Sequence, residues 1–202
     1  GNKKLTWEQT STLNVGLDFA FLNRRLNASV DYYQRKSTDL IGLLEVNPLT
    51  GFPTIVGNVG DMTNKGIEAS VSSVNIRKSD FQWTSSFILS YNKNKVTKVN
   101  LLTAVTTGKD QIGVWYLPGY AAFSAFAYDY AGLNAEGNPL VRLADGKTSL
   151  GIDNADQPMA KDVLLMGVFQ PVWNGGLSNT FGYKGFLFNI NIIYNLGHVM
   201  FR

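Results

Sequence analysis

Six stretches of this chain alternate apolar and polar residues, with the period of two that predicts β-strands having one apolar and one polar face. The predicted strands lie near residues 12–21, 26–34, 66–74, 81–92, 177–183 and 186–196. Tight turns are predicted at Asn23, Ser79 and Lys184, whereas long connections are predicted at 35–65 and 93–175. The strands are therefore expected to form an antiparallel meander in which short and long connections alternate.

The distribution of charge along these strands indicates a barrel that spans a membrane. The apolar rows carry no charged residue, whereas Asp18, Asp31 and Glu68 all lie on polar rows. A charge that faces lipid at mid-depth costs about 2–4 kcal/mol, so this segregation is typical of transmembrane barrels. Such barrels also place tight turns on one side of the bilayer and long loops on the other. A soluble β-sandwich alternates in the same way, but it has no reason to confine its long loops to one end.

The number of strands predicts that the chain is part of a larger barrel. About eight strands are needed merely to fill a barrel interior with side chains, and transporter barrels have about 22. This chain shows about six, which makes a small self-contained porin the weaker interpretation. Gly1 resembles the scar left by removal of an affinity tag, so we expect the natural N-terminus to lie elsewhere. The expected fold is all-β, with residues 1–202 forming a fragment from the C-terminal part of a larger transmembrane β-barrel.

Composition supports this interpretation and excludes several classes of function. Charged residues make up 16% of the chain, below the roughly 25% that is usual in soluble domains. Aromatic residues are plentiful at 12%. The absence of cysteine excludes disulfides, thiolate metal sites and cysteine nucleophiles. The net charge of +3 comes from scattered basic residues, so no nucleic-acid partner is expected.

Residues that could carry catalysis or bind a metal are few. His198 is the single histidine, and we expect it to be an exposed loop residue rather than a base. The stretch 153–156 resembles a calcium site only faintly, because it lacks the ligand series and the bidentate glutamate of an EF-hand loop. The sequence has no glycine-rich phosphate loop. No catalytic residue, cofactor or metal is therefore expected.

The longest connection carries aromatic residues that could contact a ligand. The candidate ligand-binding residues are Tyr116, Tyr120, Phe123 and Tyr128. They surround the turn sequence at 117–119, where their faces could stack on sugars or pack against a partner protein. The alternative is that they form a small core of the connection itself, together with Phe126 and Tyr130.

Several short phrases identify a family. They are Leu5-Thr6-Trp7-Glu8, Leu13-Asn14-Val15-Gly16-Leu17-Asp18, Val30-Asp31-Tyr32-Tyr33, Asn58-Val59-Gly60-Asp61, Tyr91-Asn92-Lys93-Asn94, Ala131-Gly132-Leu133-Asn134 and Gly175-Gly176-Leu177-Ser178. Together they resemble, in order, the barrel of SusC/RagA-type TonB-dependent transporters over nearly the whole chain. Most of these residues are expected to be architectural, because Asn, Asp and Gly tolerate the left-handed backbone of loops.

The resemblance implies an outer-membrane importer that takes up oligosaccharides or peptides and is energised by TonB. It also implies a SusD-like surface lipoprotein that caps the extracellular connections 35–65 and 93–175, while the tight turns face the periplasm. The segment that engages TonB would belong to an N-terminal part that is absent here. In this design the barrel performs no covalent chemistry, and outer-membrane lipid covers its apolar rows. The competing hypothesis is a soluble carbohydrate-binding β-sandwich.

Overall fold

A computed structural model describes residues 4–47, 49, 51–100, 104–151 and 157–200. The first four strands are β1 (Gln9–Phe21), β2 (Leu26–Glu45), β3 (Thr54–Arg77) and β4 (Phe81–Val99). They are followed by α1 (Gly108–Gly113), β5 (Ser124–Leu133), β6 (Pro139–Arg142), β7 (Thr148–Ser149) and a 3-10 turn at Ala160–Asp162. The last strands are β8 (Val163–Val168), β9 (Trp173–Tyr183) and β10 (Phe186–Leu196). The described helices are all too short or too polar to cross a membrane.

The large sheet contains six strands in the order β1-β2-β3-β4-β9-β10, and every neighbouring pair is antiparallel. This confirms the predicted antiparallel meander. The register aligns the apolar rows of all six strands, as in the row Leu17, Val30, Ala69, Leu89, Gly175 and Tyr194. The large sheet therefore has one mainly apolar face and one polar face.

Both faces of the large sheet are open at its two edge strands, β1 and β10, whereas Ser37 on β2 and Val96 on β4 are buried. All 13 residues of β1 are exposed, and Tyr194 is the single half-buried residue among the 11 of β10. The apolar side chains of Leu17 and Phe188 are 61% and 62% exposed. Strands β1 and β10 are the two edges of the sheet and do not pair with each other. The described strands therefore form an open sheet rather than a small closed porin.

The first long connection is much shorter than predicted, because its flanks continue the strands. Strand β2 runs on to Glu45 and β3 begins at Thr54, so the connection covers 46–53 rather than 35–65. Two bulges, on either side of Leu40, interrupt the pairing of β2 with β3. Asp39 lies within the bulged region and has a φ of 55°. A bulge shifts the alternation of apolar and polar residues by one position. The extended parts of β2 and β3 therefore do not continue the period of two, and the sequence pattern did not predict them.

The second long connection contains a sheet of its own. Strand β4 extends to Val99 and β9 begins at Trp173, so the connection is shorter than the predicted 93–175. Between them lies the small sheet, with four strands in the order β7-β6-β5-β8. Its core includes Ala122, Ala125, Phe126 and Val163. The sequence pattern missed it because its strands are short and β5 is bulged against both of its neighbours.

The tight turns at one end of the large sheet have the backbone that hairpins require. Leu22, Asn23 and Arg24 all have positive φ, between 51° and 65°. Lys184 and Gly185, with φ of 43° and 87°, form the two-residue turn between β9 and β10. Positive φ at both central residues gives the twist that matches paired strands. The turns predicted at Asn23 and Lys184 are therefore confirmed.

Polar residues interrupt the apolar face near these turns, and hydrogen bonds join them into one network. The side chain of Asn179 accepts from Trp83 Nε1 at 3.0 Å and from Ser85 Oγ at 2.6 Å. Asn75 donates to Ser85, and Ser73 donates to Asn75. Polar groups are costly in an apolar environment unless they are paired, so this network lowers the cost of placing them on the apolar face.

Candidate functional site

The polar face of the large sheet carries hydrogen-bonding side chains at its middle. A cavity of about 450 Å³, the polar cavity, is lined by Thr12, Asn14, Tyr33, Arg35, Asn64, Glu68 and Asn92. The Oδ1 atom of Asn92 is buried and has no hydrogen-bond partner among the described residues. A carbonyl oxygen of this kind can accept a hydrogen bond from a ligand or a water molecule. The polar cavity is therefore suited to a hydrogen-bonding group.

Glycines shape this polar face by leaving room for larger neighbours. A Cβ atom at Gly66 would collide with the ring of Tyr33, which lies directly across from it on β2. A Cβ atom at Gly16 would collide with the carboxylate of Asp31. Each glycine is thus required by the close approach of a side chain from the next strand.

Asn58 holds together the strand ends on the side opposite the tight turns. Its Oδ1 atom accepts from the backbone N–H of Thr6 at 2.9 Å, and its Nδ2 atom donates to the carbonyl of Asp39 at 2.6 Å. Asp61 accepts from the backbone N–H of Asp39 at 2.9 Å. Asn100 donates to the carbonyl of Asn58 at 2.6 Å. The phrase Asn58 to Asp61 therefore fixes the β2 bulge, which is the architectural role expected from the sequence.

A second cavity lies beside the strand ends that Asn58 fixes. This apolar cavity has a volume of about 580 Å³, and its lining includes Leu40, Leu43, Val59, Met62, Val99, Trp115 and Tyr116. Two backbone hydrogen bonds hold the segment that follows Trp115 against β4. The N–H of Val96 donates to the carbonyl of Tyr120 at 2.8 Å, and the N–H of Gly119 donates to the carbonyl of Val96 at 2.9 Å. The cavity therefore joins residues from the β2–β3 hairpin, β4 and the second long connection.

The structure divides the four candidate aromatic residues into separate groups. Tyr116 lies in the lining of the apolar cavity, 44% exposed, with its ring edge against Phe123 at 5.2 Å. Phe123 also packs against Trp115, at 5.7 Å between ring centroids. Tyr120 packs instead on the buried Phe126, at 5.0 Å. Tyr116 and Phe123 thus belong to one cluster, while Tyr120, which is itself exposed, packs against the core residue Phe126.

Tyr128 lies apart from these groups and packs against α1. A Cβ atom at Gly108 would collide with its ring and with Val163. Burial raises the pKa of the Tyr128 hydroxyl above its usual value of 10.0, and the nearby carboxylate of Asp110 raises it further. A half-buried tyrosine packed on a helix supports the fold of the connection. Ligand contact by Tyr128 stays a prediction.

Trp115 is a ligand-contact candidate that the sequence analysis did not name. Its side chain is 52% exposed in the apolar cavity and is held between Phe123 and Phe169, the latter at 5.6 Å. The signal that could have found it is its position beside Tyr116 in an aromatic stretch. The aliphatic residues of the hairpin carried no such signal, because aliphatic residues in a strand are usually structural.

The remaining candidates do not form a catalytic or metal site in the described part of the chain. His198 lies in a loop, as expected, but it is half-buried, so the expectation that it is exposed was wrong. Its Nδ1 atom is buried and has no hydrogen-bond partner among the described residues, and the backbone N–H of the following residue, Val199, donates to the carbonyl of Val168 at 2.8 Å. The stretch 153–156 lies outside the described residues. No group of three or more potential metal ligands occurs among those that are described.

Comparison with known proteins decides the family. Residues 1–197 match the family model described as TonB dependent receptor-like, beta-barrel. The chain belongs to this family. It is 30% identical to TonB-dependent receptor P39 of Formosa agariphila, covering 100% of this chain and 23% of that protein. It is 29% identical to TonB-dependent receptor SusC of Bacteroides thetaiotaomicron, covering 99% of this chain and 20% of that protein.

Solved structures of this family agree with the observed fold. The RagAB peptide transporter matches with a TM-score of 0.80 and 27% identity, over 98% of this chain and 22% of that chain. The RagAB peptide importer in its closed-closed state matches with a TM-score of 0.79 and 26% identity. This TonB-dependent receptor sequence therefore spans about a fifth to a quarter of its relatives' length. The competing β-sandwich interpretation was wrong, because the match is to a barrel and the edge strands β1 and β10 are open on both faces.

Proposed function

We propose that this chain forms part of the barrel wall and the extracellular loops of an outer-membrane, TonB-dependent importer. The observation that carries the proposal is the large sheet, whose aligned rows give one apolar and one polar face, with the edge strands β1 and β10 exposed on both. Lipid on the apolar face and water in the lumen on the polar face would match this division. Membership of the TonB-dependent receptor barrel family supports the same function.

The strand lengths support an orientation for this wall. Crossing the hydrocarbon core takes about 9–11 residues of a tilted strand, whereas β2 and β3 have 20 and 24. Because the tight turn at Asn23 lies close to one end of β2, the excess length projects on the opposite side. Barrels of this kind keep short turns in the periplasm and long loops outside the cell. The connections after β2 and β4 would therefore be extracellular.

The proposed ligands are oligosaccharides or peptides, and the proposed partners are a SusD-like surface lipoprotein and TonB. Two observations support a wall that binds without covalent chemistry: a polar cavity at its middle and an apolar cavity at its projecting end. Many weak contacts of this kind hold a ligand while allowing it to leave. The RagAB relative is described as a peptide transporter, which supports the peptide alternative.

Membrane fractionation tests the location and the size of the natural protein. An antibody raised against residues 1–202 is used to probe inner-membrane, outer-membrane and soluble fractions of the source organism. We expect a band far larger than 22.3 kDa, confined to the outer membrane. A soluble band near 22.3 kDa would contradict the proposal.

Uptake measurements test the import function itself. Cells that carry the gene and cells that lack it are compared for uptake of oligosaccharide and peptide mixtures, with and without a protonophore that removes the energy source of TonB. We expect uptake of one ligand class to require both the gene and an energised membrane. Uptake that is unchanged by deletion of the gene would exclude import as the function.

A further inference from the structure

We propose that the apolar cavity beside Trp115 binds an apolar side chain of a peptide, and that it thereby selects peptides over oligosaccharides. The inference rests on the importer function proposed above and names the ligand class of this site. A volume of about 580 Å³ lies within the range of about 300–1,000 Å³ that is usual for ligand sites. The cavity is therefore large enough for more than one side chain.

The chemistry of the lining favours an apolar group. Leu40, Leu43 and Val59 come from the β2–β3 hairpin, and Val99 comes from β4. Leu43 is 69% exposed, so apolar surface is available to a ligand. Covering such surface is favourable by about 25 cal/mol per Å², and this gain requires an apolar ligand group. A sugar presents hydroxyl groups that these aliphatic side chains cannot pair.

The polar residues of the lining are few, and one is already occupied. The carboxylate of Asp61 accepts from the backbone N–H of Asp39 at 2.9 Å, within the β2 bulge. Glu45 and Lys98 supply one charge of each sign. Charged groups of this kind can pair with charged groups of a peptide, whereas a neutral oligosaccharide carries none.

The aromatic side of the cavity is held in place before any ligand arrives. Trp115 is fixed between Phe123 and Phe169, and the backbone N–H of Phe123 donates to the Trp115 carbonyl at 2.8 Å. Phe123 itself adopts a φ of 57°, which places it in the left-handed region. A preformed aromatic wall reduces the entropy that is lost when a ligand binds. Trp115 and Tyr116 can therefore cover an apolar side chain without rearrangement.

The polar cavity lies next to the apolar cavity along the same face. Met62 lines the apolar cavity and Asn64 lines the polar cavity, and they are two residues apart on β3. Residues so spaced point to the same face, about 7 Å apart. An extended peptide has a similar repeat, so its side chain could enter the apolar cavity while its backbone pairs with groups such as Asn92. This match of spacing favours a peptide.

A competition experiment on the full-length receptor tests the proposal. The receptor in detergent is mixed with equimolar heptapeptides in a Gly/Ser background that differ only at the central residue, which is Leu, Phe, Ser or Asp. Maltoheptaose is included as the sugar probe. After gel filtration, mass spectrometry measures which probes stay with the protein. We expect the Leu and Phe peptides to be enriched about tenfold over the Ser peptide.

Matched variants show whether the enrichment depends on this cavity. Leu43→Asn and Ile41→Asn each place an amide in the lining, and both side chains are more than 40% exposed, so folding should be retained. Leu164→Asn makes the same change at a side chain 49% exposed on β8, outside the cavity. We expect the two cavity variants to lose the enrichment and Leu164→Asn to keep it.

Several results would overturn the inference. They are equal retention of the Leu and Ser peptides, retention of maltoheptaose alone, no retention of any probe, or enrichment that persists in both cavity variants. Occupation of the cavity by another segment of the full-length receptor would give one of these results. If any of them occurs while uptake still requires the gene and an energised membrane, the ligand assignment fails but the importer function stands.

Discussion

The large sheet and the small sheet of this receptor are stabilised in opposite ways. Every residue of β1 in the large sheet is exposed, and its apolar side chains contact little of the described chain. In the small sheet, Ala125 and Phe126 are only 4% and 3% exposed. The small sheet therefore has a core of its own, whereas the large sheet depends on its surroundings, in our proposal lipid and neighbouring strands.

The two sheets also treat polar side chains differently. On the polar face of the large sheet, serines such as Ser72 and Ser86 stay accessible or half-exposed. Around the small sheet, Asp162 is buried, and its two carboxylate oxygens accept from the backbone N–H groups of Ala144 and Met159 at 2.8 and 2.7 Å. A buried carboxylate must be paired in this way, whereas an exposed one need not be.

The largest expected effect comes from emptying the core of the small sheet. Phe126→Ala removes a side chain that is 3% exposed and should destabilise the second connection by about 3–5 kcal/mol, because a cavity remains. Tyr130→Ala, at a side chain 64% exposed, is the control and should have little effect. Hydrogen exchange measured by mass spectrometry on the full-length receptor should show faster exchange in 124–151 and 157–168 and no change in β1. Equal exchange in both variants would show that this connection has no core of its own.

A charge on the apolar face tests whether the large sheet depends on lipid. Val71→Arg places a cation on β3 between Ala28 and Phe87 of the neighbouring strands, and should cost about 2–4 kcal/mol if this face meets lipid. Ser72→Arg makes the same change on the polar face and should cost less than about 1 kcal/mol. Denaturant unfolding of the full-length receptor in lipid vesicles measures both. A similar loss of unfolding free energy in the two variants would contradict the assignment of the apolar face to lipid.

Carboxylates near the small sheet sharpen the contrast between buried and exposed polar groups. Asp162→Asn replaces one of the two acceptor oxygens with an NH2 group, which places a donor against a backbone N–H, and should destabilise this region by about 1–3 kcal/mol. Asp129→Asn breaks the exposed ion pair with Arg142, 3.2 Å long, and should cost no more than about 1 kcal/mol. Hydrogen exchange at Ala144 and Met159 provides the measurement. If Asp129→Asn has the larger effect, burial does not set the importance of these groups.

The smallest expected effect concerns protonation at α1. Hydrogen bonds from the Thr107 side chain and backbone hold the pKa of Asp110 below its usual value of 3.8. Because the folded pKa is lowered, the resulting stabilisation is present above pH 3.8 and is lost as pH falls through the folded value. Thr107→Ala should move the pKa of Asp110 part of the way back toward 3.8, as followed by carbon-13 NMR titration.

Asp145 serves as the internal control in the same titration. Its pKa is also lowered from 3.8, chiefly by the backbone N–H of Lys147, and Thr107 takes no part in this. We therefore expect Asp145 to titrate at the same pH in the wild type and in Thr107→Ala. A shift of Asp145, or no shift of Asp110, would contradict the assigned hydrogen bonds.

The fold was predictable where apolar and polar residues alternate along a strand, because the two faces of such a strand meet different environments. The alternation from Leu13 to Phe21 placed β1, and the turn at Asn23 placed the start of β2. The prediction failed at the β2 bulge around Leu40, because a bulge shifts the alternation without changing the residue types. It failed again at β7, which has only two residues and therefore shows no period.

The candidate site was predictable only in part. The aromatic stretch that contains Tyr116 was visible in the sequence, but the partners of each ring were not. Tyr116 faces a cavity. Tyr120, only four residues farther along the chain, packs instead on the buried Phe126. The difference depends on how the connection folds back onto β4 through Val96. Local sequence contains no information about such distant pairing until the fold is known.

The sequence by itself determined the family of this receptor, the strand faces of the large sheet and the tight turns at Asn23 and Lys184. These follow from backbone geometry, because successive side chains of a strand point to opposite faces and left-handed turns favour particular residues. Only the tertiary structure decided that Leu43 and Trp115 line one cavity, although 72 positions separate them in the sequence. Their meeting requires the β2 bulge and the hydrogen bonds at Val96, which are long-range contacts made only in the folded chain.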